Sequence, residues 1–299
     1  MDMKFYWVDV FASAPLEGNP LSVVLDADAL DEATMKRIAG EFNQAETTFI
    51  LKPTRPGATY RLRSFTAPGT EVFGAGHNAL GAWWLLAAGG FVQPGKDGGT
   101  RTTFQQEIGD EVLPVDVTYD AGKVQRIVMK HSVPAFGATL IETRALAEAL
   151  GIEDDDIDVR RLPPQVVSTG AGHFLVPLRE RRIVDRVRPD SEKLRSVLRQ
   201  VGGEGCYVFA LDPVDSTSTA YARFFNPTAG IVEDSATGTA AGPLAAQLVA
   251  RTIVADGSVV IIEQGYAMGR PSKLEISVKG TDVRLAGRGV IAAEGVLHL

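Results

Sequence analysis

Glu46 stands between a helical stretch and the strand-like run Thr47-Thr48-Phe49-Ile50-Leu51, among small and polar neighbours. A glutamate in such a place is either an exposed loop carboxylate, as most glutamates are, or a partly buried one. Burial would lift its pKa towards neutrality, where a carboxyl group serves as general acid and general base. His77 ends the corner Gly74-Ala75-Gly76-His77 at the opening of an apolar helix. There it could polarise a substrate oxygen or relay a proton. Asp234 opens a second corner, Asp234-Ser235-Ala236-Thr237-Gly238-Thr239, which also leads into Ala-rich sequence.

A glycine corner at a helix start leaves backbone N–H groups without intrahelical acceptors, and the helix dipole adds partial positive charge. The amides around Gly76 and around Gly238–Thr239 are therefore candidates to bind a substrate carboxylate. The plainer alternative is that the glycines only permit tight turns and that Asp234, Ser235 and Thr237 cap a helix. Repetition favours binding. Glu71 matches Glu233, Gly76 matches Gly238 and His77 matches Thr239 at one constant offset, and Arg63 matches Arg223 with a two-residue gap. Internal similarity at half the chain length indicates two related halves, with the active site expected in the cleft between the two corners. The polar loop Ser168-Thr169-Gly170 with His173 is a further candidate for substrate contact. His131 and His298 lack supporting context, and Cys206 reads as an inert core residue.

Several chemistries are excluded or disfavoured. The glycine after Gly74-Ala75-Gly76 is Gly81, so the spacing is not G-x-G-x-x-G, and no phosphate loop of the G-x-x-x-x-G-K-[ST] type occurs. Four scattered histidines and one cysteine give no metal-ligand spacing. No cofactor and no metal are expected. A net charge of −7 gives no basic footprint for nucleic acid or an anionic membrane. The N-terminus shows no secretory pattern, and the uncharged apolar stretch 78–92 is too short to span a bilayer. A cytoplasmic location is expected.

These residues need elements to hold them. Strands are expected over 4–11 and 21–25, joined by the turn Gly18-Asn19-Pro20, and over 47–51 and 59–65. Met35, Ile38, Ala39 and Phe42 mark one face of a helix that stops at Asn43. Residues 93–101 read as a surface loop. Strands follow near 102–107, 112–118 and 124–130, then a helix over 143–150 ended by Gly151 and an acidic turn from Glu153 to Asp158. Strand-like segments at 166–168 and 174–178, a helix over 189–200 and strands near 205–211 and 218–225 lead to the second corner. The tail supplies strands at 258–263, 273–279, 282–286 and 289–298. The helices after the two corners are apolar nearly all round, so each must be enclosed. The expected architecture is α/β of the α+β type: two pseudo-symmetric halves, each a curled, barrel-like, mostly antiparallel sheet around a central apolar helix. The halves are expected to be 1–121 and 122–299, with the switch around Asp120-Ala121-Gly122. The last strand, about 288–299, is placed to return to the first half.

The chain resembles the phenazine-biosynthesis PhzF-like isomerase family, within the diaminopimelate epimerase and proline racemase superfamily. The resemblance rests on several segments taken together. They are Val8-Asp9-Val10-Phe11 with Gly18-Asn19-Pro20; Glu41-Phe42-Asn43 with Glu46-Thr47-Thr48-Phe49; Gly76-His77; Ser168-Thr169-Gly170; Glu233-Asp234 with Ala236-Thr237-Gly238; and Gln264-Gly265 with Gly269-Arg270-Pro271-Ser272. It implies a diaminopimelate epimerase-like fold, commonly a homodimer, and cofactor-free, metal-free proton transfer on a small carboxylate substrate. It places the catalytic glutamate on Glu46, the matching histidine on His77 and the matching aspartate on Asp234. The family's serine is here Thr239. The type enzyme isomerises trans-2,3-dihydro-3-hydroxyanthranilate. Asn78-Ala79, Ser235 and Ala67 depart from the family pattern on the substrate side of the corners, which makes Asn78 a candidate substrate contact. The wider superfamily's epimerases and racemases carry a cysteine in each corner; His77 and Thr239 at those positions exclude a two-thiol racemase. The expected function is an isomerase moving a proton between carbons. A non-catalytic small-metabolite-binding protein and a dehydratase-like lyase are the alternatives.

Overall fold

The computed structural model describes residues 1–95 and 100–299. The loop expected over 93–101 therefore falls in part, at 96–99, outside the described residues. The chain forms two units. Unit 1 is Met1–Lys130 with Ala286–Leu299, and unit 2 is His131–Leu285.

Unit 1 runs β1 (Asp2–Val10), β2 (Asn19–Val24), α1 (Glu32–Phe42), β3 (Glu46–Leu51), β4 (Tyr60–Thr66), β5 (Glu71–Val72), α2 (His77–Ala88), β6 (Arg101–Ile108), β7 (Glu111–Asp120) and β8 (Lys123–Lys130). Unit 2 continues with β9 (Ala135–Thr139), α3 (Arg144–Leu150), β10 (Gln165–Ser168), β11 (Gly172–Pro177), α4 (Arg181–Arg186), α5 (Ser191–Val201), β12 (Gly205–Ala210), β13 (Ala220–Asn226) and β14 (Ile231–Asp234). It closes with α6 (Gly238–Ala250), β15 (Val259–Gln264), β16 (Ser272–Lys279) and β17 (Asp282–Gly287), after which β18 (Gly289–His298) pairs with β1 of unit 1.

The repeat extends to strand pairing. In unit 1 the order β18–β1–β2–β3–β4–β6–β7 is antiparallel except for β2–β3 and β4–β6. In unit 2 the order β9–β10–β11–β12–β13–β15–β16 is antiparallel except for β11–β12 and β13–β15. The senses follow one another identically. Each sheet is curled, but among the described residues no pairing joins the ends of either run, so the sheets are open, not closed barrels.

Sequence explains the enclosed helices. In α2, Asn78, Leu80, Ala82, Trp83, Leu85 and Leu86 are all buried, and α6 is buried from Ala240 to Leu248. A helix with no polar stripe gains most by surrounding itself with sheet, at about 1.5–3 kcal/mol for each large apolar side chain removed from water. Trp83 stacks on Phe104 at 5.3 Å, and its indole N–H donates to Gln106 at 2.8 Å, so its polar end is satisfied. On the other face of the unit 1 sheet, α1 buries Met35, Ile38 and Ala39 against Phe49 and Phe65. Asp31 caps its start by accepting from Thr34 N–H at 2.8 Å, and Asn43 ends it in the left-handed region at φ 50°. That stop directs the chain into β3, whose first residue is Glu46.

Two expectations change. Asp120-Ala121-Gly122 is not the switch between halves. Ala121 and Gly122 both have positive φ (47° and 77°) and form the hairpin turn from β7 to β8 inside unit 1. Strand β9 and helix α4 were not expected at all.

Candidate active site

In unit 1 the first corner is built on β3, β4 and α2. Glu46 pairs in register with Thr66. Its side chain is only 18% exposed, and His77 Nε2 lies 3.1 Å from its Oε2. Burial pushes the Glu46 carboxyl up to about 7. A carboxyl with that pKa is divided between its acid and base forms at neutral pH, as proton transfer in both directions requires.

Gly76 and Asn78 do not stand open to a substrate as expected. Asn78 is buried at the second position of α2, and its side-chain oxygen accepts from Gly76 N–H at 2.9 Å. Its side-chain nitrogen donates to Gly74 O at 3.0 Å and to Ser64 Oγ at 3.1 Å. Both donors of the side-chain amide and one lone pair of its oxygen are thus committed to holding the turn. The N–H groups at the start of α2 still lack intrahelical acceptors.

The second corner, in unit 2, is buttressed differently. Thr237 Oγ1 donates to Asp234 Oδ2 at 2.5 Å. The N-cap residue of α6 is Thr237, and its side chain makes no capping bond. Ser272 Oγ donates to Ser235 O at 3.0 Å. Gly265 has φ +84°, and a Cβ there would lie 2.5 Å from Ser235 O. The Gln264-Gly265 and Ser272 segments are thus supports of this corner.

His173 Nε2 sits 3.1 Å from Thr239 Oγ1, so these two candidates meet beside the start of α6. His173 is buried edge-on against Phe224, at 5.0 Å between ring centroids, and burial pushes it down to about 4, leaving it neutral at physiological pH. Thr169 turns elsewhere. Its hydroxyl pairs with His131 Nδ1 at 3.0 Å, and a Cβ on Gly242 of α6 would lie 3.0 Å from that hydroxyl and 2.8 Å from His131 Cε1. The Thr169 side chain is therefore a packing element, and His131, which had no sequence context, is its partner. Gly170, at φ 136°, donates its N–H to Ser168 Oγ at 3.2 Å.

Each corner has a brace of its own, built in the same way. Arg63 grips Glu71 through both a 2.7 Å and a 2.6 Å bond, and Arg223 grips Glu233 through two bonds of 2.8 Å. Each guanidinium also lies over a phenylalanine two residues on, Phe65 at 5.0 Å and Phe225 at 4.9 Å. Arg63 pairs with Phe49 and Arg223 with Val208. Three residues earlier stand Glu46 and Gly205. The position that carries the carboxyl in unit 1 is thus a glycine in unit 2, and the Phe224 ring occupies the space a side chain would need.

A sequence model of the family described as phenazine biosynthesis-like protein matches residues 8–295. The chain is 34% identical over 302 residues to the uncharacterized isomerase YddE of Escherichia coli O157:H7, covering 97% of each. It is 33% identical over 298 residues to the trans-2,3-dihydro-3-hydroxyanthranilate isomerase of Pseudomonas chlororaphis, covering 98% of each. Among solved structures, the phenazine biosynthesis protein of the PhzF family from Bacillus anthracis matches with a TM-score of 0.89 over 100% of both chains, at 27% identity.

Proposed function

The chain belongs to the phenazine biosynthesis-like (PhzF) family and is an isomerase; on that premise we propose that Glu46 carries a proton from one carbon of a small carboxylate substrate to another. The observation that carries this reading is the buried Glu46, held at about 7 and 3.1 Å from His77. As carboxylate it takes a C–H proton, leaving the electron pair delocalised towards the substrate's unsaturation. As carboxylic acid it returns a proton to a second carbon, and charge and hydrogen count are restored without a cofactor. The register counterpart Gly205 has no side chain, which favours one shuttling base over a pair of opposed ones.

In this reading His77 polarises the substrate and passes charge to and from Glu46. Asp234 binds a substrate donor group, and the Gly238 and Thr239 amides, with His173 behind Thr239, take the carboxylate. The substrate class is that of trans-2,3-dihydro-3-hydroxyanthranilate, the compound in the name of the Pseudomonas relative.

Proton NMR in D₂O tests it. The unaltered protein and Glu46→Gln are incubated with trans-2,3-dihydro-3-hydroxyanthranilate and a panel of cyclic amino and hydroxy acids. Deuterium enters substrate carbon only with the unaltered protein. Normal exchange by Glu46→Gln would overturn the assignment. Ligands that raise the melting temperature without any exchange would favour a binding protein instead.

A further inference from the structure

Behind the second corner lies a group of uncharged residues that the chemistry above does not use. Gln264, at the end of β15, is fully buried and makes four hydrogen bonds. Its Nε2 donates to Asp234 O at 2.8 Å and to Thr237 Oγ1 at 3.0 Å. Its Oε1 accepts from Thr237 N–H at 3.1 Å and from Tyr207 OH at 2.9 Å. Two of these partners are backbone groups. A carbonyl can only accept and an N–H can only donate, so the orientation of the amide is fixed.

The other protons then have one arrangement. Tyr207 must donate to Gln264 Oε1. The second Nε2 proton must go to Thr237 Oγ1. Thr237 therefore has its own hydroxyl proton left to give, and it gives it to Asp234 Oδ2 at 2.5 Å. An ionised carboxylate accepts this bond more strongly than a neutral carboxyl would, so the donated hydroxyl favours the charged form of Asp234. We propose that Tyr207, Gln264 and Thr237 form a one-way hydrogen-bond chain that aims a proton at Asp234 Oδ2 and so favours Asp234 as an ionised acceptor, making the three of them positioning residues of the isomerase.

This rests on the reading of Asp234 as a substrate-binding group, and it adds how its charge state is set. Charge-assisted bonds of this kind are about twice as strong as neutral ones, and low dielectric strengthens a buried chain further. Tyr207, from β12, is a titratable group facing Asp234, and burial with the nearby Asp234 charge pushes its phenol up, so it stays a donor. Arg223, on the neighbouring β13, is held by Glu233.

The test needs no substrate. Protein with ¹³C-labelled aspartate carboxyl groups is titrated by NMR, and the Asp234 resonance is assigned by its loss in Asp234→Asn. Thr237→Val keeps the shape but removes the hydroxyl, Thr237→Ser keeps the hydroxyl, and Tyr207→Phe removes the first donor. The Asp234 midpoint rises by about one unit or more in Thr237→Val, rises less in Tyr207→Phe, and stays in place in Thr237→Ser. A merely structural role would not separate valine from serine. An unmoved midpoint in both Thr237→Val and Tyr207→Phe would overturn the chain. Exchange of substrate protons by Asp234→Asn, measured separately, tests the site itself. Full activity there removes Asp234 from the site, whereas lost activity with unmoved midpoints removes only the chain.

Discussion

Glu46 and Gly205 occupy the same register position in their two units, three residues before the strand partners of Arg63 and Arg223. In unit 1 the position holds a buried carboxyl beside His77. In unit 2 the Phe224 ring fills it, so the repeat is broken where the proposed chemistry resides. Gly205→Ala would force that ring to move within a packed interior. A loss of about 1–3 kcal/mol is expected by urea denaturation, with the Glu46 midpoint unchanged. An alanine variant of undiminished stability would show that the ring yields freely.

The raised pKa of Glu46 makes stability depend on pH with a defined sign. The folded state binds the Glu46 proton up to about 7, whereas the unfolded state releases it near 4.5. Folded protein thus holds more protons between these values, and stability falls as pH rises through that window. The loss approaches about 3 kcal/mol above pH 7. Glu46→Gln cannot ionise. It is expected to match the unaltered protein near pH 4.5 and to be more stable at pH 8, as chemical denaturation at the two pH values would show.

His173 acts in the opposite direction. Burial lowers its pKa from 6.5 to about 4, so its contribution to stability is complete above 6.5 and is lost as pH falls towards 4. The loss approaches about 3 kcal/mol below pH 4. His173→Gln removes the titration while sacrificing the edge contact with Phe224. Its stability should be lower at pH 7.5 yet fall less steeply down to pH 4.5, measured on the same denaturation series.

What was legible in the sequence was what repeats or alternates. The Arg, Glu and Gly spacing of the two corners announced the two units, and the apolar α2 and α6 announced enclosing sheets. Strand β9 was not legible because Ala135-Phe136-Gly137-Ala138-Thr139 is exposed at every residue and carries no alternation. The Ala121-Gly122 turn signal is the same whether it joins two strands or two units. Glu46, His77 and Asp234 could be singled out from charge and glycine context. Gln264 and Tyr207 could not be tied to Asp234, because neutral side chains 30 and 27 positions from it announce no partner. Asn78 looked open to substrate for the same reason: its bonds to Ser64 and Gly74 exist only once β4 and the corner are folded.

Asn78→Ala would leave Gly76 N–H, Gly74 O and Ser64 Oγ without this partner in a largely buried place. A cost of about 2–4 kcal/mol is expected, at about 1 kcal/mol for each bond lost plus desolvation. Asn78→Asp keeps the acceptor for Gly76 but loses both donors, and should be at least as destabilised. Thermal melts of the two variants decide whether the amide nitrogen matters as much as its oxygen.

The two arginine braces should differ in weight, although their geometry is the same. Arg223 is 6% exposed and Glu233 14%, and Arg223 Nη1 also donates to the carbonyls of Val184 at 2.9 Å and Val187 at 3.0 Å. Arg63 and Glu71 are 15% and 21% exposed, and Arg63's further partner is Glu32, itself half exposed. Lysine cannot reproduce a planar fork that holds two carboxylate oxygens and two carbonyls at once. Arg223→Lys leaves a buried carboxylate and the end of α4 poorly satisfied, and about 3–5 kcal/mol should be lost. Arg63→Lys, nearer water, should lose about 1 kcal/mol. Equal losses in urea denaturation would mean that burial does not set the strength of the brace. A larger loss at Arg63 would mean that the first corner, with Glu46 and His77, is the less tolerant of the two.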